Sequence, residues 1–155
     1  MKNIPKFVKG LDPIADAFTG SGVTDIISMK NHQTATFLIY VGVETAGTAD
    51  GVVTVHAVDD VAGSNATAIP FKYQTITSGD TPSAITDATA TGYVMTAGSS
   101  QINAIYVDAG DLASTGYGYV RLTVTEDTND PAVACILCML TEGKEEAEIP
   151  ETAIV

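Results

Sequence analysis

An all-β fold is predicted by the residues that dominate this chain and by the rhythm in which they recur. Thr, Ala, Val, Ile and Gly prevail, Trp is absent, and 14 Gly and 6 Pro supply turns throughout the 155 residues. β-Branched residues suit a pleated surface, and abundant turn formers separate short strands. Eight strand-like runs then fall at the spacing of two packed antiparallel sheets. A β-sandwich follows, with the jelly roll preferred because that topology uses eight strands. An Ig-like sandwich accounts for the same spacing, and periodicity does not choose between strand orders.

The eight runs follow one another between the turns. The first spans about Val23–Lys30. In the second, Ala35–Val43, Phe37, Ile39 and Val41 alternate with Leu38 and Tyr40, so both faces are apolar and a central position is expected. A turn at 46–51 leads to the third, Val52–Val58, with Val53, Val55 and Ala57 on one face and Thr54 and His56 on a wetter one. A polar loop, Asp59–Asn65, precedes the fourth run, Ile69–Ile76, where Pro70 stands near the strand start. The longest connection, from Thr77 to about Gly92, reads as a functional loop or a surface contact.

A short fifth run, Tyr93–Thr96, is followed by the sixth, Ile102–Val107. Asp108–Ser114 suits one helical turn capped by Asp108. The seventh run, Tyr117–Thr125, points Val120, Leu122 and Val124 inward and Tyr119, Arg121 and Thr123 outward. The eighth, Ala132–Leu140, is apolar on both faces and belongs in mid-sheet.

Charge divides the chain into three parts: an extended N-terminal arm at 1–20, a sandwich domain at 21–141 and an acidic C-terminal tail at 142–155. Residues 1–10 hold Lys2, Lys6 and Lys9 without an acid, for +3, whereas residues 11–141 carry −11 and the tail −4. The net −12 repels phosphates and anionic lipid, so neither nucleic acid nor a membrane surface is an expected partner. No apolar run reaches the roughly 18 residues of a membrane span. No hydrophobic segment follows the N-terminal lysines as in a signal peptide, and maturation in a cytoplasm is the expectation. An apolar share of 45% excludes disorder as a description of the whole.

Little in the chain suggests catalysis. Cys135 and Cys138 form a C-x-x-C inside the eighth run, where side chains three apart point to opposite faces and cannot share a metal or a disulfide. Both read as core residues. His32 sits in a polar turn and His56 on the wet strand face, and the G-x-S-x-G elbow is absent. Asp59-Asp60 is a conspicuous acid pair, but adjacent acids after a strand are commonly turn formers. A weak calcium site among the loops stays open. No phosphate-binding loop occurs, and Gly116-Tyr117-Gly118-Tyr119 precedes a strand rather than a helix. Tyr73, Tyr93, Tyr106, Tyr117 and Tyr119 read either as a contact face or as caps on the sandwich ends. No enzyme activity and no cofactor are expected.

The arm completes no core of its own, although it contains Phe7, Val8, Leu11, Ile14 and Phe18. It is expected to pack on a neighbouring subunit, with coverage of its own sheet edge as the alternative.

Four stretches carry a resemblance: Ile26-Ile27-Ser28-Met29-Lys30-Asn31, Ala68-Ile69-Pro70-Phe71-Lys72-Tyr73, Ser78-Gly79-Asp80 and Gly116-Tyr117-Gly118-Tyr119-Val120-Arg121-Leu122. Through them, over about residues 20–140, the chain resembles small virion structural proteins of tailed bacteriophages, of the capsid decoration or cement type. That resemblance implies a non-enzymatic protein, made in the host cytoplasm, that binds the outside of a capsid and stabilises it. The major capsid protein would be its partner, and a homo-oligomer, dimer or trimer, its working form. The expected contact residues are Lys2, Lys6, Phe7, Lys9 and Phe18 of the arm, Asp59 and Asp60, and Asp80 of the long connection. A tail, neck or head-fibre component, or a carbohydrate-binding or adhesion module, is the alternative.

Overall fold

A computed structural model describes residues 5–44, 51–126 and 131–143. In chain order its elements are β1 (Lys6–Ile14), β2 (Gly22–Val23), β3 (Ile27–Ser28), β4 (His32–Glu44), β5 (Gly51–Val58) and β6 (Ala66–Ile69). Then come β7 (Phe71–Ile76), β8 (Thr86–Ala88), β9 (Tyr93–Val94), β10 (Gln101–Asp108), the helical turn α1 (Ala109–Ala113), β11 (Tyr119–Glu126) and β12 (Ala132–Gly143). The larger sheet has the order β1-β12-β4-β10-β7-β8. The second is built on β2-β11-β5-β6, with β3 also pairing β11 and β9 also pairing β5. All these pairings are antiparallel, so the architecture is an all-β sandwich of two antiparallel sheets.

Alternation decides which side chains meet between the sheets. Phe37, Ile39 and Val41 of β4, Ile105 and Val107 of β10, and Ile136, Cys138 and Leu140 of β12 line the inside of the larger sheet. Val53, Val55 and Ala57 of β5 face them with Val120, Leu122 and Val124 of β11, all fully buried. The period of two thus places the inward set as the sequence indicates. The central positions expected for the second and eighth runs are also found, since β12 lies between β1 and β4 and β4 between β12 and β10.

The first strand-like run is divided. β2 and β3 occupy successive stretches of the same β11 edge, and between them the buried Thr24 side chain replaces a ladder bond. Its backbone N–H donates to the Leu122 carbonyl, and its Oγ1 accepts from the Leu122 N–H, each at 3.0 Å. The run expected at Ile69–Ile76 is divided at Pro70: β6 pairs β5 in one sheet, whereas β7 pairs β10 in the other. Proline has no N–H to continue either ladder, so the chain turns the corner from sheet to sheet at that residue.

The arm differs most from expectation. Over its described residues it does not project toward a neighbour: Lys6–Ile14 is an edge strand of its own domain, paired with β12 from Lys6↔Leu140 to Ile14↔Ala134. Val8, Ala17 and Phe18 enter the core. The physical reason lies in β12, an apolar strand whose outer edge would otherwise leave a row of backbone groups unpaired. Pro13 falls where the register slips between Leu11 and Ile14, a place an edge strand tolerates proline. Residues 15–18 form a non-helical turn. Lys2, turn residues 46–50 and the acidic tail from residue 144 onward lie outside the described residues.

Candidate functional site

The two sheets present different outer faces. That of the second sheet carries Thr54, His56, Arg121, Thr123 and Tyr119, as an ordinary half-wet strand pair would. The outer face of the larger sheet is apolar at its centre, with Thr34, Gln74 and Lys72 toward its margins. Register fixes its rows: Phe7, Met139, Thr36 and Tyr106 lie side by side, then Lys9, Leu137, Leu38 and Ala104, then Cys135, Tyr40 and Ile102. Phe7 is 68% exposed, Tyr40 48%, and Leu137 and Val133 44% each. Nothing in the described chain covers these side chains. Lys9 and Lys72 border the rows, each paired with a carboxylate, Asp12 at 2.9 Å and Asp87 respectively. The Asp87 carboxylate raises the Lys72 pKa above its ordinary value.

The predicted contact residues do not form one site. Lys6 and Phe7 begin β1, and only Phe7 is an exposed apolar contact. Lys9 is held by Asp12. Phe18 is 5% exposed and belongs to the core, which removes it from any contact surface. The loop after β5 lies at the sandwich end where Val58 pairs with Tyr119 and Ala66. Asp80 is exposed in the connection after Ile76, which pairs with Ile102 at the other end of β10. The acid pair and Asp80 are therefore at opposite ends.

Asp59 and Asp60 are turn formers. Asp59 accepts from both the backbone N–H and the side-chain amide of Asn65, which lowers its pKa below the ordinary carboxylate value. Asp60 Oδ1 accepts from the N–H groups of Ala62 (3.0 Å) and Ser64 (3.2 Å). Their lone pairs are thus engaged in shaping the loop. Among the described residues, no group of three or more His, Cys, Asp or Glu is arranged to hold a metal ion.

The other chemistry-bearing groups are also dispersed. Desolvation, then the neighbouring Arg121, lowers the His56 pKa; desolvation, then Lys6, lowers that of His32. Cys138 faces the core, where burial pushes its thiol up to about 12, while Cys135 faces the outer side and is half-buried. The opposite faces expected of this pair are found, but full burial of Cys135 is not. The tyrosines form no single face. Tyr73 and Tyr93 lie stacked between the sheets, the Tyr106 hydroxyl donates to Gln74, and Tyr119 lies under the Lys30 ammonium at 4.9 Å.

The apolar outer face was visible in the sequence as strands apolar on both sides, yet that pattern equally suits strands covered on both sides. Knowing that, among the described residues, no layer lies over it required the topology.

No protein-family model and no curated protein matches the chain. In fold it is similar to the SPBc2 prophage-derived protein YomS, with a TM-score of 0.51 and 13% sequence identity. The likeness covers 92% of this chain and 96% of that one, so the sandwich is shared from end to end rather than through one motif.

Proposed function

We propose that the protein is a structural component of a phage particle that binds the outside of the capsid and stabilises it. The observation that carries this reading is the end-to-end fold likeness to a prophage-derived protein. A two-sheet sandwich with its core closed between the sheets supplies a stiff body for such work, and many copies on a shell multiply a modest interface. In this reading the protein performs no catalytic step, needs no cofactor, and acts on the particle surface against the major capsid protein.

The connection between β7 and β8 is the part we assign to the shell. It is exposed from Thr77 through Asp87, carries Asp80, and presents Ile85 at 59% exposure beside the edge strand β8. Such an apolar side chain on a loop held by a rigid sheet suits docking. The test is co-sedimentation of the full-length protein with expanded, undecorated capsid shells. Saturable binding at a fixed stoichiometry, weakened at least about tenfold by Ile85→Asp, is expected for a central apolar contact. Absence of binding to shells at any stage of expansion would overturn the capsid role. A tail, neck or head-fibre part is the second reading; rings or fibres formed by the purified chain would select it.

A further inference from the structure

We propose that the outer face of the larger sheet is the seat of a second copy of this chain, docked sheet on sheet across a two-fold axis. Antiparallel sheets that face water normally alternate apolar-in with polar-out. Here β4 and β12, adjacent at the centre of the sheet, break that rule together. Leu38 and Tyr40 point outward beside Leu137 and Cys135, with Phe7 and Met139 on one flank and Ile102 and Ala104 on the other. A contiguous apolar patch of this kind marks an interface.

Charge indicates what covers it. The chain carries −12, with Asp59, Asp60 and Asp80 in connections, Asp108 at the end of β10 and Asp111 in α1. Two copies meeting through those regions would oppose like charges. Across the three rows from Phe7–Tyr106 to Cys135–Ile102, by contrast, the only charge is Lys9, at the margin and already paired with Asp12. A second copy brings the same neutral, apolar rows, so the centre of the face is complementary to itself, as a two-fold interface requires.

The dimensions agree. Five strands from β1 to β7, about 4.8 Å apart, and the nine residues from Thr34 to Gly42, about 3.4 Å each, outline a face on the order of 700 Å², with the neutral rows at its centre and Lys72, paired with Asp87, and Asp108 at its margins. A stable interface buries roughly 800 Å² per partner. Two twisted sheets packed face to face settle about 10 Å apart, the distance at which side chains such as Leu38 and Leu137 interdigitate. This inference stands independently of the capsid reading.

The experiment is sedimentation velocity and light scattering on the full chain over a roughly hundredfold concentration range spanning micromolar dissociation constants. The wild type is expected at twice its 16.0 kDa mass. Leu137→Lys and Tyr40→Lys each place an uncompensated charge in the interface twice, once per copy, and are expected to weaken the dimer by about a hundredfold or more. Both positions point away from the core, and an unchanged circular dichroism spectrum checks the fold. Cys135 supplies a readout in the unaltered protein. One thiol, not the buried Cys138, should react with a disulfide reagent, slowly in concentrated protein and faster on dilution.

A wild type that stays at 16.0 kDa throughout the range overturns the proposal, whether Cys135 is reactive or is shielded by another part of its own chain. So does a dimer that both lysine variants leave intact, or a Cys135 rate independent of concentration.

Discussion

Tyr73 of β7 and Tyr93 of β9 stack with ring centroids 3.9 Å apart and planes 10° from parallel, and they belong to different sheets. Phe71 meets the Tyr93 ring edge-on at 6.2 Å. The Tyr93 hydroxyl donates to Oδ1 of the fully buried Asn103 at 3.0 Å. An aromatic clasp therefore joins the two layers beside the corner at Pro70. Tyr93→Phe keeps the stack but leaves the Asn103 oxygen without that donor, and a loss of about 1–3 kcal/mol in urea unfolding is expected. Tyr73→Leu keeps the donor and removes the stack, with an expected cost of about 0.5–1.5 kcal/mol beyond area burial.

The same phenol gives an alkaline limit. Burial, then the nearby Tyr73, pushes the Tyr93 pKa well above its ordinary value. Below about pH 10 the group is protonated in folded and unfolded chains alike and stability is unaffected. Above it the unfolded chain loses the proton and the folded one keeps it, so stability falls as pH rises. Unfolding midpoints measured from about pH 9 to about pH 11 should decline, and less steeply in Tyr93→Phe.

Acid acts through the histidines. The pKa values of both His56 and His32 are lowered by the fold, so below about pH 6.5 the unfolded chain binds more protons than the folded one. Stability is therefore complete above that value and is lost as pH falls toward the folded values. His56→Gln should flatten the decline between about pH 7 and about pH 5 in a urea titration, and an unchanged slope would contradict this account.

Gly92 has φ +85°, and a Cβ there would run into the Val53 carbonyl of β5. Gly92→Ala is expected to strain the backbone and loosen the β9–β5 pairing, at about 1–3 kcal/mol. Thermal unfolding measures the loss, and hydrogen exchange at Met95, whose N–H donates to the Gly51 carbonyl, localises it.

Asp60 tests the turn-forming reading of the acid pair. Asp60→Ala removes the acceptor for Ala62 and Ser64 and should cost about 1 kcal/mol, whereas Asp60→Asn keeps an acceptor oxygen and should cost less. Binding to shells should change little in either variant if the loop only shapes itself.

What could be read in advance follows from where a side chain's period alone decides its fate. Val53, Val55 and Ala57, and Val120, Leu122 and Val124, announce their inward faces by simple alternation. Asp108 announces α1: it accepts from the Gly110 N–H while Asp111 accepts from the Asp108 N–H. The β1 strand was hidden because register slips after Lys9 and again after Leu11 destroy its alternation, and Pro13 argues against a strand. The sheet change at Pro70 was hidden because a strand interrupted by one proline has the same residues whether it continues or turns. Phe18 looked like an arm residue for want of a partner, and its partners come from the rest of the core cluster, distant in sequence. Of the candidate contacts, Phe7 and Asp80 are exposed, whereas the role of Asp59 and Asp60 depends on neighbours that only the turn brings within reach.

The placement of β12 between β1 and β4 also bears on how the chain is made. Residues 6–14 and 32–44 flank residues 132–143 and have no pairing with each other in the sheet. During synthesis, both early strands must wait for some hundred residues before the strand that joins them emerges, a long-range closure of the kind that slows folding. Through that interval their apolar edges are open to other nascent chains. A protein assembled this way gains from rapid completion and from chaperone cover at high expression, and its misassembly would begin with strand β12 lying beside the β4 of a different copy.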